Sequence, residues 1–476
     1  MILPLLLLPL PFALWWAVLW LAIPVDWDAL TLPKLILLHV VPPLAAILSW
    51  LLGKRLFAWR TARRKRLAAE MKEAEQQQAR ETARAAHRQA LEARRASVEC
   101  RAVLASLTTF PTWAGELPDF CALLGQDPDT MRSVGYEEAI SKSLRKVFEA
   151  AFASNEALAW LPVYVVTEET LPEAVQPAHV TLIWQQAIEV CWSIVNLYPG
   201  RPRPSSLDCQ RLPGEGDIVS RALALFEHDP SLPAFLLVGQ DSPLAEMSDE
   251  DSPSKPKPGH AVLALLFARP GLVAAAPEPE PPAKKKVAPD LVPYWERPAV
   301  RVDTPGTWGR VPVDLQAGFM EKLPPLAALT RPRQAAMSER PSVSMGNIKQ
   351  AIDEAFIDAA LRGPPIDENG DSQKKADADQ DEQDGQLAPE IGWMVHGGDP
   401  IRFPLVTEAL CGCRSDLSPI SQGTSVLEEQ GDVGAAHDAL MQALAVTRAG
   451  QLKLPVLLAE TLGKDKTGIA FVRPCG

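Results

Sequence analysis

The sequence predicts an α/β protein carried on an N-terminal two-span transmembrane helical hairpin and a helical stalk. Three observations lead there. Two apolar stretches open the chain, and a dense run of cations follows the second. A stretch rich in Ala, Arg, Glu and Gln comes next, with neither Gly nor Pro. Beyond it, one order of helix, strand, loop and strand occurs twice, which predicts a duplicated, pseudo-two-fold α/β region.

The first stretch, Ile2 to Ile23, is apolar except for prolines at 4, 9 and 11. About 20 such residues cross a hydrocarbon core, and Trp15, Trp16 and Trp20 suit its interfacial belt. A short connector, Pro24 to Lys34, carries Asp26 and Asp28. The second stretch runs from Leu35 to Leu52, with Pro42 and Pro43 expected to kink it. Lys54, Arg55, Arg60, Arg63, Arg64, Lys65 and Arg66 follow at once. By the positive-inside rule they put this flank in the cytoplasm, both termini inside and the connector outside. A cleaved signal peptide fits poorly, since no basic region precedes the apolar run and no small-residue cleavage site precedes the second span.

From Leu56 to about Leu107 the composition favours a helix. Leu67, Met71, Ala74 and Ala79 give it only a weak apolar stripe, so it reads as a stalk, with self-association open to it or to the soluble region. The boundaries are 1–56 for the hairpin, 57–97 for the stalk, 98–273 and 291–476 for the two α/β halves, and 274–290 for a Pro-rich linker. Tyr136 to Asn155 reads as an amphipathic helix, Leu161 to Val166 as a strand, and Val180 to Tyr198 fits either.

The repeat ties the halves together. Helical Asp217 to Glu227 is followed by Leu232-Pro233, the apolar run Ala234 to Val238, a loop, and Ala261 to Phe267 ending on Arg269-Pro270. Helical Ala435 to Ala449 is followed by Leu454-Pro455, Val456 to Ala459, a loop, and Gly468 to Phe471 ending on Arg473-Pro474. A further helix precedes each copy, at Tyr136 to Asn155 and at Asn347 to Arg362. In each half the two apolar runs are expected to be neighbouring strands buried between helices. Ser242 to Pro258 reads as a polar loop, and Pro364 to Pro389, bounding the 364–389 insert, as an acidic disordered segment.

A net charge of -12 argues against a nucleic-acid surface. Seven scattered cysteines read as reduced thiols rather than a disulfide framework. Asp377, Asp379, Asp381 and Asp384 alternate as in a calcium loop, but Glu382 stands where the turn glycine belongs and Ala388 where the closing glutamate belongs. Cys411 and Cys413 lack a second ligand pair for a metal. His396-Gly397-Gly398-Asp399 is the most site-like tetrapeptide, since Gly-Gly admits close backbone approach, although a loop after a strand accounts for it. No zinc-protease, nucleophile-elbow, phosphate-loop or dinucleotide motif occurs. No catalytic, cofactor-binding or metal-binding residue is assigned, and no cofactor.

The duplicated pattern over residues 98 to 476 resembles the thiolase and ketoacyl-synthase architecture. That resemblance implies a nucleophilic cysteine at a strand-to-helix elbow, with two histidines, or a histidine and an asparagine, in glycine-rich loops. Cys191 lies instead among Ile188, Glu189, Val190 and Trp192, with no helix N-terminus to lower its pKa. The whole chain also resembles a bacterial family of membrane-anchored proteins linked to type VI secretion lipase effectors, best at the Phe-x-Arg-Pro strand ends and at Leu236 to Pro243. This second resemblance implies a non-catalytic adaptor that binds a lipase effector and passes it to the secretion spike protein. Two alternatives stand beside it: an acyl-transfer enzyme of thiolase-like fold, and a membrane-anchored toxin-sequestering protein.

Overall fold

The computed structural model of the chain describes residues 10–21, 31–115, 117–166, 209–246, 256–274, 308, 311–363, 390–413, 417–462 and 465–475. Cys191, the Val180 to Tyr198 segment, the 274–290 linker save its first residue, the four aspartates of the acidic insert and the rest of that insert lie outside them. The chain divides into two compact units, one running to Arg88 and the other holding nearly everything from Gln89 onward.

The first unit holds α1 (Leu10–Leu21) and most of α2 (Leu32–Arg94). Indole nitrogens of Trp15 and Trp16 donate to the carbonyls of Leu38 and His39, at 2.9 and 3.3 Å, so α1 lies along the start of α2. Among the described residues one helix, α2, is long and apolar enough to cross a membrane. Of the expected first span, Ile2 to Ile23, only the part in α1 lies among the described residues. The second apolar stretch and the stalk are one helix of 63 residues, with Pro42 and Pro43 inside it. Strong helix formers on both sides of the prolines carry it through.

The helix ends at Arg94, before the expected boundary at about Leu107, because residues 97–107 pair into a sheet. These form β1 (Ser97–Leu107), buried along nearly its whole length. There follow β2 (Cys121–Gly125), α3 (Pro128–Val134), α4 (Tyr136–Ser154), β3 (Val163–Val166), β4 (Cys209–Arg211), α5 (Ile218–His228), β5 (Ala234–Asp241), α6 (Pro243–Glu246) and β6 (Ala261–Ala268). Then come α7 (Val313–Lys322), β7 (Ala327–Thr330), β8 (Arg333–Ala336), α8 (Pro341–Asp358), β9 (Trp393–His396), α9 (Arg402–Gly412), β10 (Gly423–Ser425) and α10 (Val426–Gln430). The chain closes with α11 (His437–Leu452), β11 (Val456–Leu462) and β12 (Lys466–Pro474).

The sheet order is β10-β9-β11-β12-β7-β1-β6-β5-β3-β4, with β2 and β8 beside β1 and β12. Leaving those two aside, each half has five strands in the order third, second, fourth, fifth, first. Directions repeat as well. The second strand runs parallel to both the third and the fourth, and the fifth is antiparallel to its neighbours on either side. The first strands, β1 and β7, pair antiparallel and join the halves. Ala234–Val238 and Val456–Ala459 therefore occupy equivalent fourth strands, each next to its fifth.

Alternation along the strands assigns side chains to layers. Phe235, Leu237, Leu263, Leu265 and Phe267 face a central core shared with α5, α11 and the strands β11 and β12. Leu236, Val238, Val262, Ala264 and Leu266 face the other way, onto α4 and α7. In the second half Leu457, Ile469 and Phe471 pack outward on α8 and α9. Helices α5 and α11 thus lie between two half-sheets, and further helices cover both outer faces. Close backbone crossings lock the halves: Gly259 N donates to Asp432 O, Asp432 N donates to Lys257 O at 2.7 Å, and Asp241 Oδ2 accepts from Ala435 N at 2.7 Å.

Candidate active site

His396 ends β9, a short strand flanked by β10 and β11, and is buried. The backbone then turns through Gly397 and Gly398, the latter at φ +92°, where a Cβ would stand 2.5 Å from Leu427 Cβ. Only glycine fits both demands. Asp399 closes the turn: its Oδ1 accepts from Ile401 N at 2.8 Å, and its Oδ2 pairs with Arg402 Nε at 3.1 Å. Gly398 N donates to His396 Nδ1 at 3.2 Å, which leaves the proton of the neutral ring on Nε2. Phe403 stacks on this imidazole with centroids 4.2 Å apart. Burial pulls the His396 pKa down to about 4, so the ring is neutral near pH 7.

A second histidine meets this loop from the other side. His437 is the first residue of α11, and a Cβ on Gly397 would stand 3.0 Å from its Nε2. Burial lowers the His437 pKa, while the charges of Asp438 and Asp432 act in the opposite sense. Asp438 is itself pushed up, by burial first, with His437 opposing and Asp217 adding to the rise. Asp217 caps α5 by accepting from Ser220 N at 2.7 Å. Glu460, in β11, is fully enclosed; burial, then the negative charges of Asp438 and Asp217, hold its carboxyl toward the protonated form. Gln442 Nε2 donates to Glu460 Oε1. Two buried polar atoms here, Gln442 Oε1 and Thr467 Oγ1, have no hydrogen-bond partner among the described residues.

The cleft itself is lined by His396, Gly397, Gly398, Asp399, Arg402, Phe403, Glu460, Thr461 and Thr467, with Met394, Val406 and Ala459 supplying its apolar wall. Burial holds the two imidazoles neutral and holds the carboxyls of Asp438 and Glu460 toward protonation, so the cluster offers both proton acceptors and proton donors. Among the described residues no cysteine lines the cleft. Cys411 is exposed on α9, and Cys413 is buried with its thiol pushed up to about 11, chiefly by burial. Cys209 opens β4, before the turn into α5. No three-ligand metal cluster occurs among the described residues.

His396-Gly397-Gly398-Asp399 does follow a strand, as the sequence reading has it, and it also forms one wall of this cleft. His437, Asp438, Asp217 and Glu460 were not singled out from sequence. The one available signal was Glu460, a lone carboxyl at the end of an apolar strand run.

The body is similar in fold to solved thiolases. No known family pattern and no curated protein matches the sequence. The peroxisomal 3-ketoacyl-CoA thiolase of Saccharomyces cerevisiae, described as a five-layered structure built from two core domains of identical topology, is 8% identical with a TM-score of 0.41; the match covers 80% of this chain and 99% of that one. Human mitochondrial 3-ketoacyl-CoA thiolase is 10% identical, TM-score 0.39, covering 80% and 100%. Xanthomonas campestris OleA with cerulenin is 11% identical, TM-score 0.36, covering 79% and 97%.

These findings correct the functional expectation. The similar structures are named as thiolases and OleA, and another as an acetyl-CoA acetyltransferase; none of these names is that of an adaptor, and the non-catalytic adaptor is not carried further. None of the comparisons links the chain to type VI secretion, a lipase or a secretion spike. Tertiary folding gathers residues that are up to 243 positions apart, from Asp217 to Glu460, into one cluster of titratable groups.

Proposed function

We propose that the body is an acyl-transfer enzyme acting on a thioester, with His437 as its general base. One observation carries the reading: the half-buried His437 imidazole, its pKa lowered by burial, sits against the bare edge of Gly397 and beside the carboxyl of Asp438, which in turn faces Glu460. A neutral imidazole accepts the proton of an attacking water or hydroxyl as its oxygen bonds to the carbonyl carbon. Glu460, held toward its protonated form, is suited to donate a hydrogen bond to the oxygen that gains charge. The carbon–sulfur bond then breaks, and the thiolate leaves with the proton returned by His437. The printed names of the similar structures supply the thioester class, and His437 behind the Gly397 loop supplies the proton transfer.

In this reading α2 crosses a bacterial inner membrane and the cations at 54 to 66 hold the body on the cytoplasmic side. The purified full chain, given a panel of acyl-CoA thioesters, should release free thiol. His437→Ala should lower that rate about 100-fold or more with the circular dichroism unchanged. An unaltered rate in H437A, or no thiol release from any acyl chain length, would remove the proposal. Orientation is read separately, from the compartment in which a reporter fused after Gly476 is active.

A further inference from the structure

Between Pro33 and Ala69 the chain contains no carboxylate, yet seven cations occupy positions 54 to 66. All seven are exposed, as are Trp50, Phe57 and Trp59. Lys54 Nζ lies 4.5 Å from the Trp50 ring centroid, and the Arg63 guanidinium lies 5.4 Å from that of Trp59. The cations are thus interleaved with flat aromatic surfaces at the end of an exposed apolar stretch.

Their distribution around the helix discriminates between partners. Wound at about 100° per residue, Lys54, Arg55, Arg60, Arg63, Arg64, Lys65 and Arg66 leave no gap wider than about 80°. A helix lying on a surface, or seated in a nucleic-acid groove, would gather its cations on one face. A ring of cations suits a helix that passes through a layer of anions surrounding it. The lengths agree: Leu35 to Leu52 spans about 26 Å, close to a hydrocarbon core of about 27–30 Å. Lys54 to Arg66 spans about 18 Å, against a headgroup layer of about 6–7 Å and a further Debye length of about 8 Å.

We infer that Trp50 to Arg66 is a collar that binds anionic phospholipid headgroups and enriches them around α2. The inference rests on the membrane reading of α2 and adds a lipid preference to it. In the collar the indole rings sit at the glycerol level, and the guanidinium groups each take a phosphate from a different direction.

The test uses the full chain in micelles holding equal amounts of phosphatidylglycerol and phosphatidylcholine, with bound lipid counted by native mass spectrometry. Phosphatidylglycerol should be retained about tenfold over phosphatidylcholine or more, and the quadruple variant R60Q/R63Q/R64Q/R66Q should bring the ratio close to one. Equal retention by the original chain, or an unchanged ratio in the variant, overturns the collar. Binding of duplex DNA by the chain together with indifference to lipid charge overturns it in favour of a nucleic-acid surface. Flotation separates this from the membrane reading. A chain that floats with phosphatidylglycerol vesicles but not with pure phosphatidylcholine vesicles loses the span, and the collar around it with the span. One that floats equally with both keeps the span, and the lipid ratio from mass spectrometry then decides the collar by itself.

Discussion

At the residue scale the absence of a side chain at position 397 positions the proposed base. A methyl group there would stand 3.0 Å from His437 Nε2, closer than ordinary contact, so the imidazole must move by a few tenths of an ångström. Gly397→Ala is expected to lower kcat about tenfold while costing under about 1 kcal/mol of stability, since its φ is not in the left-handed region. Equal rates for G397A and the original chain would detach His437 from the chemistry. A different histidine sets a pH dependence of stability. His260 is enclosed, with Nε2 and Nδ1 at 2.8 and 2.9 Å from the hydroxyls of Ser143 and Ser242, and burial pulls its pKa down to about 4. Above about pH 6.5 both folded and unfolded forms are neutral and the group is silent. As pH falls from about 6.5 to 4 only the unfolded chain takes up the proton, so stability is lost, by roughly 3 kcal/mol at most. Glu460 and Asp438, with raised values, oppose this slope, so the comparison is between chains. Urea titrations of His260→Gln should show a shallower loss between pH 6.5 and 4 than those of the original chain, and parallel curves would refute the assignment.

At the element scale, the end of α2 is held by a buried carboxylate. Asp358, at the C-terminal end of α8, is almost fully enclosed and pairs with Arg94 Nε at 2.9 Å and with Arg333 Nε. The two arginines are about one-third exposed, so solvent screens the ionic part and hydrogen bonding makes up most of the value. Asp358→Asn keeps the shape, removes the charge and turns one acceptor oxygen into a donor facing arginine. We expect a loss of about 2 kcal/mol and faster proteolysis near Arg94 and Arg95. Cleavage rates equal to those of the original chain would show that this pair does not secure the helix. The same scale explains which elements were legible. Helices α4 and α5 showed in sequence because one face of each is buried, which gives a 3.6-residue period. Strand β1 did not, because both its faces are buried and its residues follow an unbroken helix-forming run.

At the scale of the molecule, the central core draws on both halves, so neither half can bury its inner face alone. The crossings reinforce this. A Cβ on Gly259 would stand 2.4 Å from Gln430 O and 2.8 Å from Val433 Cγ1. Gly259→Ala is therefore expected to cost about 2–3 kcal/mol, by overpacking at a backbone contact between halves. Calorimetry should record one cooperative transition for the 97–476 body, lowered as a whole in G259A. Two separate transitions, with only one of them moved, would show that the halves fold independently.

The sequence by itself determined the apolar N-terminal helix, the α/β class and the repeat of fourth and fifth strands, because each follows from local period and composition. It also marked His396-Gly397-Gly398-Asp399, since paired glycines point to a close approach. Tertiary structure alone decided that β1 and β7 join the halves and that His437, Asp438, Asp217 and Glu460 stand together. The reason is physical. Strand partners and buried charges are selected by side chains far away in the chain, and a histidine at a helix start has the same sequence appearance in solvent as beside a glycine whose missing side chain makes room for it.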